Sequence, residues 1–482
     1  MAKYNFDFTA KTRPFAHQIE AIDYVNKRDA VALFDEQGLG KTKIVIEAIT
    51  KNIDEGKVDG ALIVCRKTLI RNWQEEISTH SHLKTIVLRG TTKEKGINYM
   101  GFAHFYLINY ESVQSELHRL TMFLKVRKLA IVLDESHAIK NPKSKSTTAI
   151  LKLAEYAPKK IIISGTPVAN KPEDIWAQYY FLDGGNLLGD TFDAFKSRYA
   201  VDMKSPATFL NNDRLDGLRQ IITSNSIRRK KDDVLELPEK VFVERLVTLK
   251  GRQKSMYEQL NNQLFIEIQG IDGSIKIDEA EELLKKILRL VQISSNPRLI
   301  DESYSDTPSK FIVLDELVEN IVTKNEKVII WSCFVNNIKE LKKRYARYGA
   351  LTIYGDLTMD QRNENVRSFK SNPDKKILIA NPAAAKEGLT LTVANNAIYL
   401  DRNFNLVDYL QSQDRIHRIS QTKVCTITKI MASNTIDEFI DEILSRKHYL
   451  SNFLQGGKDD VAFSSGISKE ELLTYLSPQK HI

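Results

Sequence analysis

"FDEQGLGKTK" occupies residues 34–43 and comes one residue short of a phosphate-binding loop. The pattern G-x-x-x-x-G-K-[ST] asks for a glycine where Asp35 stands. "VALF" (31–34) followed by "DEQGLGKTKIVIEAI" (35–49) reads as a short buried strand, a glycine turn and an amphipathic helix, the context such a loop requires. Gly38 and Gly40 let backbone amides approach a polyphosphate, and the helix N-terminus adds a positive partial charge. Lys41 can then reach the β- and γ-phosphates, and the Thr42 hydroxyl can bind Mg2+.

Outward from the loop, short apolar runs recur with helical segments between them: "ALIVC" (61–65), "TIVLRG" (85–90), "FYLINY" (105–110), "AIVLDE" (130–135) and "IIISGT" (161–166). Several are apolar at successive residues, which a strand buried on both faces of a parallel sheet demands. From about residue 170 to 300 the pattern turns helical, except for the alternating "KVFVERLVTL" (240–249), which reads as one extended strand. Strand–helix alternation resumes with "KVIIWSCF" (327–334), "LTIYGD" (351–356), "KILIAN" (376–381), "AIYLD" (397–401) and "CTITKIM" (425–431), and an amphipathic helix is expected near 435–450. The expected fold is therefore α/β, two parallel sheets separated by a helical insertion. The expected divisions are 1–235 (with 170–235 partly a helical protrusion), 236–305 as linker and insertion, 306–450, and a short polar tail at 451–482. A single large α/β domain is the alternative.

At 482 residues the chain exceeds one compact core. No run approaches 18 consecutive apolar residues, so no membrane span is expected, and the N-terminus has no apolar stretch of signal-peptide length, which points to the cytoplasm. The net charge of +8 permits nucleic-acid binding without demanding it, since 62 acidic residues offset 70 basic ones. Cys65, Cys333 and Cys425 lie far apart in apolar runs and read as buried free thiols; His80 and His82, without a nearby Cys or acidic partner, read as a solvated turn rather than a zinc site.

Further motifs carry chemistry. "IVLDESHAIKNP" (131–142) ends a buried strand in an acidic pair, as a Mg2+-dependent ATPase needs: Asp134 to hold the metal and Glu135 to accept a proton from the attacking water. "YLQSQDRIHRISQTK" (409–423) puts Arg415 and Arg418 three residues apart, on one face of a helix, where they can act as arginine fingers; a solvated basic stripe is the plainer reading. "SGTPVAN" (164–170) offers small hydroxyl residues after a strand.

The order of these pieces resembles the SWI/SNF-type ATPases, a branch of the superfamily-two helicases and translocases. Their phosphate loop reads DExGLGKT, which "DEQGLGKT" matches without the early glycine. "RPFAHQIEAI" (13–22), "ALIVCRKTLIRNWQEEI" (61–77), "LINYESV" (107–113), "LDESHAIKN" and "SIRRKKDDVLELPEK" (226–240) resemble successive family segments. "LLKKILRLVQISSNPRLI" (283–300), "YGDLTMDQRNENVRSF", "AAAKEGLTLTVANNAIYLDRNFN" and "QSQDRIHRISQTK" follow in family order. The chain departs where Pro gives way to Arg66, Gln to Ala169, and small residues to Glu387 and Thr390, positions that face nucleic acid in the family.

The resemblance implies two RecA-like lobes with ATP and Mg2+ in the cleft between them. Gln18, Gly38, Leu39, Gly40, Lys41 and Thr42 would bind nucleotide with Gly388 and Gln411; Thr42 and Asp134 would hold the metal. Lys41, Asp134, Glu135, Arg415 and Arg418 would carry catalysis, and Arg66, Lys67, Tyr110, Ser332, Thr390 and Thr392 would grip nucleic acid. It implies a monomeric motor that moves along double-stranded DNA in replication, recombination or repair, independent of sequence, with targeting left open to a partner protein. A strand-separating or branch-migrating helicase, an RNA-activated relative, and a nucleic-acid clamp without turnover are the alternatives. The minimal architecture suggests a bacterial or phage origin.

Overall fold

The apolar runs fold as the strands of two wholly parallel sheets. The computed structural model describes residues 6–199, 213–270, 277–384, 389–457 and 469–477. By internal packing the chain forms two units: Met1–Leu235 with Lys447–Phe463, and Glu236–Arg446 with Ser464–Ile482.

The first unit holds β1 (Ala30–Leu33), β2 (Gly60–Cys65), β3 (Thr85–Val87), β4 (Phe105–Asn109), β5 (Leu129–Asp134), β6 (Lys160–Ile163) and β7 (Ser226–Ile227), in the order β3-β4-β2-β5-β6-β1-β7. Successive side chains of a strand point to opposite faces, and both faces here are covered. In β5, Ile131 and Leu133 enter one core with Tyr106 and Leu153, while Ala130 and Val132 enter the other with Ile44 and Trp73. That double burial is the reason the strand sequences are apolar without alternation.

The second unit holds β8 (Lys240–Val247), β9 (Val328–Trp331), β10 (Leu351–Ile353), β11 (Ile377–Ala380), β12 (Asn396–Tyr399) and β13 (Cys425–Ala432), in the order β10-β11-β9-β12-β13-β8. Val328 and Ile330 face one core, Ile329 and Trp331 the other. The extended run at 240–249 is β8, an edge strand paired with β13 along its full length. The segment expected as a separate linker and insertion packs inside this unit: Tyr257, Leu264 and Leu290 share a core with Phe439 and Ile440.

The end of the chain differs from the expected polar tail. Leu454 is buried in the first unit's core beside Leu450, the last residue of the preceding division, and Leu472 and Leu476, on the helix Lys469–Leu476, are buried in the second's. Asn261 fixes that helix by donating from Nδ2 to the Leu476 carbonyl (2.8 Å). The three cysteines are free thiols, Cys65 and Cys425 buried and Cys333 half-buried. Among the described residues no helix is long and apolar enough to cross a membrane.

Candidate functional site

Three strands that lie side by side deliver the chemistry-bearing segments to one edge of the first sheet. Leu33 of β1 pairs with Ile163 of β6, and Ile163 with Asp134 of β5. Parallel neighbours lie about 4.8 Å apart. The glycine loop after β1, "SGT" after β6 and "DES" at the end of β5 therefore emerge together, although they are far apart along the chain.

The loop has a built shape. Gly38 and Gly40 adopt φ +90° and +77°, values that side chains rarely tolerate. A Cβ at Gly40 would also meet the Gln18 amide nitrogen at 2.2 Å. Gly40 then caps the helix Lys41–Asp54, whose N-terminus has no side-chain cap and so presents its amides. Lys41 Nζ donates to the carbonyls of Asp35 (2.6 Å) and Glu36 (3.0 Å). Gly165 of "SGT" lies against it, since a Cβ there would stand 3.7 Å from Lys41 Nζ. Gln18 is a neighbour of the loop: its Nε2 donates to the Leu39 carbonyl (3.2 Å), and its Oε1 accepts from the Phe15 amide (3.0 Å).

Asp35, the residue in the place of the glycine, is fully buried. Its carboxylate accepts from the Arg229 amide and Nε, both at 3.0 Å, and forms an ion pair with the same guanidinium. The Glu36 amide donates to the Arg229 carbonyl (3.0 Å), and Arg229 also donates to the His17 carbonyl. The loop is thus fastened by "SIRRKK" from across the fold.

The carboxyl pair is positioned as closely. Asp134 Oδ2 accepts from Trp73 Nε1 (2.8 Å), its carbonyl accepts from the Tyr110 hydroxyl (2.9 Å), and its Oδ1 accepts from the Glu135 amide (3.0 Å). Burial, then the adjacent Glu135 charge, raise the Asp134 carboxyl to about 6, against the Trp73 hydrogen bond and the Lys41 ammonium. Glu135 stands at φ +52°; the other non-glycine residues with such a φ among those described are both asparagines, which tolerate it. Strain of this kind collects where a side chain must be aimed. Beyond the pair, Ser136 Oγ donates to Gln178 Oε1 (2.6 Å), and Gln178 Nε2 donates to the Pro167 carbonyl (2.7 Å), tying the strand end to "SGTP".

In the second unit the helix Leu406–Gln413 ends before the two arginines, so they do not share a helical face as expected. Turns follow instead, the Arg415 amide bonding to the Ser412 carbonyl (3.3 Å) and the Ile416 amide to that of Gln413 (3.2 Å), because Ile416 plugs the core. The arginines still converge on one loop: Arg415 donates to the Leu389 carbonyl (3.5 Å) and Arg418 to Thr390 Oγ1 (2.9 Å). Gln411 is buried on that helix, and Gly388 lies outside the described residues.

The expected nucleic-acid contacts divide. Lys67 is exposed, and the Thr392 hydroxyl bonds to that of Ser420 (2.8 Å). Ser332 and Tyr110 face inward: Ser332 is fully buried with its hydroxyl on Asp401 (2.7 Å), and Tyr110 is buried with its hydroxyl on the Asp134 carbonyl. Both hydroxyls are consumed inside the fold. Arg66 is turned to the carboxyl-pair segment, donating from Nη2 to His137 Nε2 (2.9 Å).

A family model described as the SNF2-related domain matches residues 17–299, and one described as the helicase conserved C-terminal domain matches 309–420. The chain belongs to the SNF2-related family. YwqA of Bacillus subtilis, named as an ATP-dependent helicase/translocase, is 28% identical over 92% of this chain and 48% of its own length. The transcription regulatory protein SNF2 of Saccharomyces cerevisiae is 27% identical over 92% of this chain and 28% of its own. The Sulfolobus solfataricus SWI2/SNF2 ATPase core, solved in complex with dsDNA, is 26% identical over 99% of both chains, with a TM-score of 0.44. The chain spans about half the length of YwqA, and less of the yeast protein.

Sequence reasoning missed three positioning residues of this SNF2-related chain. Trp73, Gln178 and Arg229 act at sites 61, 42 and 194 residues away. Trp73 lies in "ALIVCRKTLIRNWQEEI" (61–77), and its indole N–H, which must find an acceptor once buried, is the available signal.

Proposed function

We propose that this chain hydrolyses ATP and uses the energy to move along double-stranded DNA, remodelling DNA or protein–DNA complexes. The observation that carries the hydrolase reading is the juxtaposition of the glycine loop, Lys41 and the Asp134–Glu135 pair at three neighbouring strand ends. ATP fits the uncapped helix N-terminus and its two left-handed glycines, where a side chain at Gly40 would run into Gln18. Mg2+ fits as well. It binds through one or two protein oxygens plus substrate phosphates, and Thr42 and Asp134 are hard oxygen donors of that kind. When bound, the metal supplies charge neutralisation at the transferring phosphoryl group.

The protein's own part is proton and charge handling. Glu135, aimed by its strained backbone, takes the proton of the attacking water. Lys41 leaves the loop carbonyls for the phosphates, and the helix amides meet the remaining negative charge. In the second unit Arg415 and Arg418 are the candidates for the positive charge that phosphoryl transfer requires, with Gln411 as a nucleotide-binding candidate; in the first, Gln18 is the candidate for reading the base. Membership of the SNF2-related family and the +8 net charge support DNA as the track, held through phosphates and not by sequence, by a monomer working with or without a targeting partner. ATP turnover measured with linear duplex, single-stranded DNA, RNA and no nucleic acid tests the reading. The duplex should stimulate most, and a triplex-forming strand should be displaced from it. Efficient unwinding of a plain fork without triplex displacement would replace translocase by helicase.

A further inference from the structure

We infer that Arg66 is a positioning residue for Glu135, acting through His137, and not chiefly a nucleic-acid contact. The inference rests on the proposed ATPase reading. Arg66 stands where the resembling family has proline, and its φ of −66° is the proline value. The backbone here would accept a proline, and the side chain is free to take a different role.

Its guanidinium Nη2 lies 2.9 Å from His137 Nε2, in a half-buried pair. Arginine has donors only, so Nε2 must be the accepting nitrogen, and the ring is neutral with its proton on Nδ1. Nδ1 faces Glu135 Oε2 at 3.4 Å and Ser164 Oγ at 3.5 Å. These contacts are long, as catalytic hydrogen bonds are before substrate binds. Ser164 Oγ in turn accepts from the Thr166 amide (3.1 Å) and so offers its lone pairs and one proton inside "SGT". Fixing the tautomer gives Glu135 an N–H donor on the side away from Asp134. With the other tautomer, a lone pair would face the carboxylate and push it off station. Arg66 thus selects the histidine form that steadies the base, and links the residue after β2 to the ends of β5 and β6.

Two variants test this in the full chain: Arg66→Met, which removes the donor, and Arg66→Pro, which suits the local φ. Long-range proton–nitrogen NMR of 15N-histidine-labelled protein, with His137→Gln to assign the signal, reads the tautomer directly. The expected wild-type ring is neutral with Nδ1–H; both variants should lose that preference, and Arg66→Lys should restore part of it. DNA-free turnover should fall on the order of tenfold in kcat, with KM for ATP nearly unchanged, as when a partner that orients an active group is removed. Arg66→Met added to His137→Gln should cost nothing more. A wild-type ring protonated on Nε2 would overturn the inference. So would variants with normal tautomer and DNA-free turnover but weaker, less salt-sensitive DNA binding. If the wild type hydrolyses no ATP yet shows the Arg66-dependent Nδ1–H ring, the tautomer assignment stands and the hydrolase reading falls.

Discussion

Asp35 replaces the first glycine of the usual phosphate loop and is a structural anchor. Converting it to glycine would restore the common motif on paper and take from the half-buried Arg229 its buried carboxylate partner, leaving the His17 carbonyl and a longer contact to Glu20 (3.8 Å). Breaking a buried ion pair from one side typically costs about 3–5 kcal/mol, so Asp35→Gly should lower the thermal midpoint of the protein, as calorimetry would show, despite its more familiar sequence. The motif match was legible in ten residues; the role of Asp35 was not, because its partner lies 194 residues away. A second residue carries a pH signature. Buried roughly perpendicular to the stacked rings of Phe6 and Phe102, and near Arg127 and Lys84, His104 has its imidazole lowered from 6.5 to about 4, chiefly by burial. The unfolded chain binds more protons between those values, so stability is intact above pH 6.5 and is lost as pH falls toward 4. In His104→Phe that loss should shrink by up to about 1.4 kcal/mol per pH unit, measured as denaturation midpoints across the window.

At the scale of elements, the strands were the most legible part, because burial on both faces leaves little choice of residue in β2, β5 or β9. β7 was unreadable: two residues, Ser226 and Ile227, carry no periodicity, and their place is set by the amides and carbonyls of β1. The early end of the helix Leu406–Gln413 was also hidden, since Ile416 leaves helical phase to fill a core that only the fold defines. The tandem arginines show a similar limit. A basic run usually means a solvated face, yet Arg228 donates to the Gln455 carbonyl (2.8 Å) and Asn452 Oδ1 (3.0 Å) while Arg229 holds the loop. Cations are favourable at helix C-terminal carbonyls. Arg228→Ala should therefore speed hydrogen exchange across residues 447–457 while leaving β1–β6 protected, as exchange mass spectrometry would resolve.

On the scale of the whole molecule, the two parallel sheets and the family assignment agree with the sequence reading, and the glycine loop and the acidic pair it singled out stand at neighbouring strand ends. The supporting residues were not legible, because Trp73, Gln178 and Arg66 act through contacts that only the fold creates. The burial of Ser332 and Tyr110, whose hydroxyls bond inside the protein, was likewise not legible. If the chain grips DNA through phosphates, its affinity should fall linearly in log–log terms with salt and vary little with sequence. The central claim is tested most directly by Glu135→Gln, assayed for ATP turnover with saturating linear duplex and for nucleotide and DNA binding in parallel. Turnover should fall by at least about a hundredfold while both affinities stay near wild type; turnover at the wild-type rate would contradict the account.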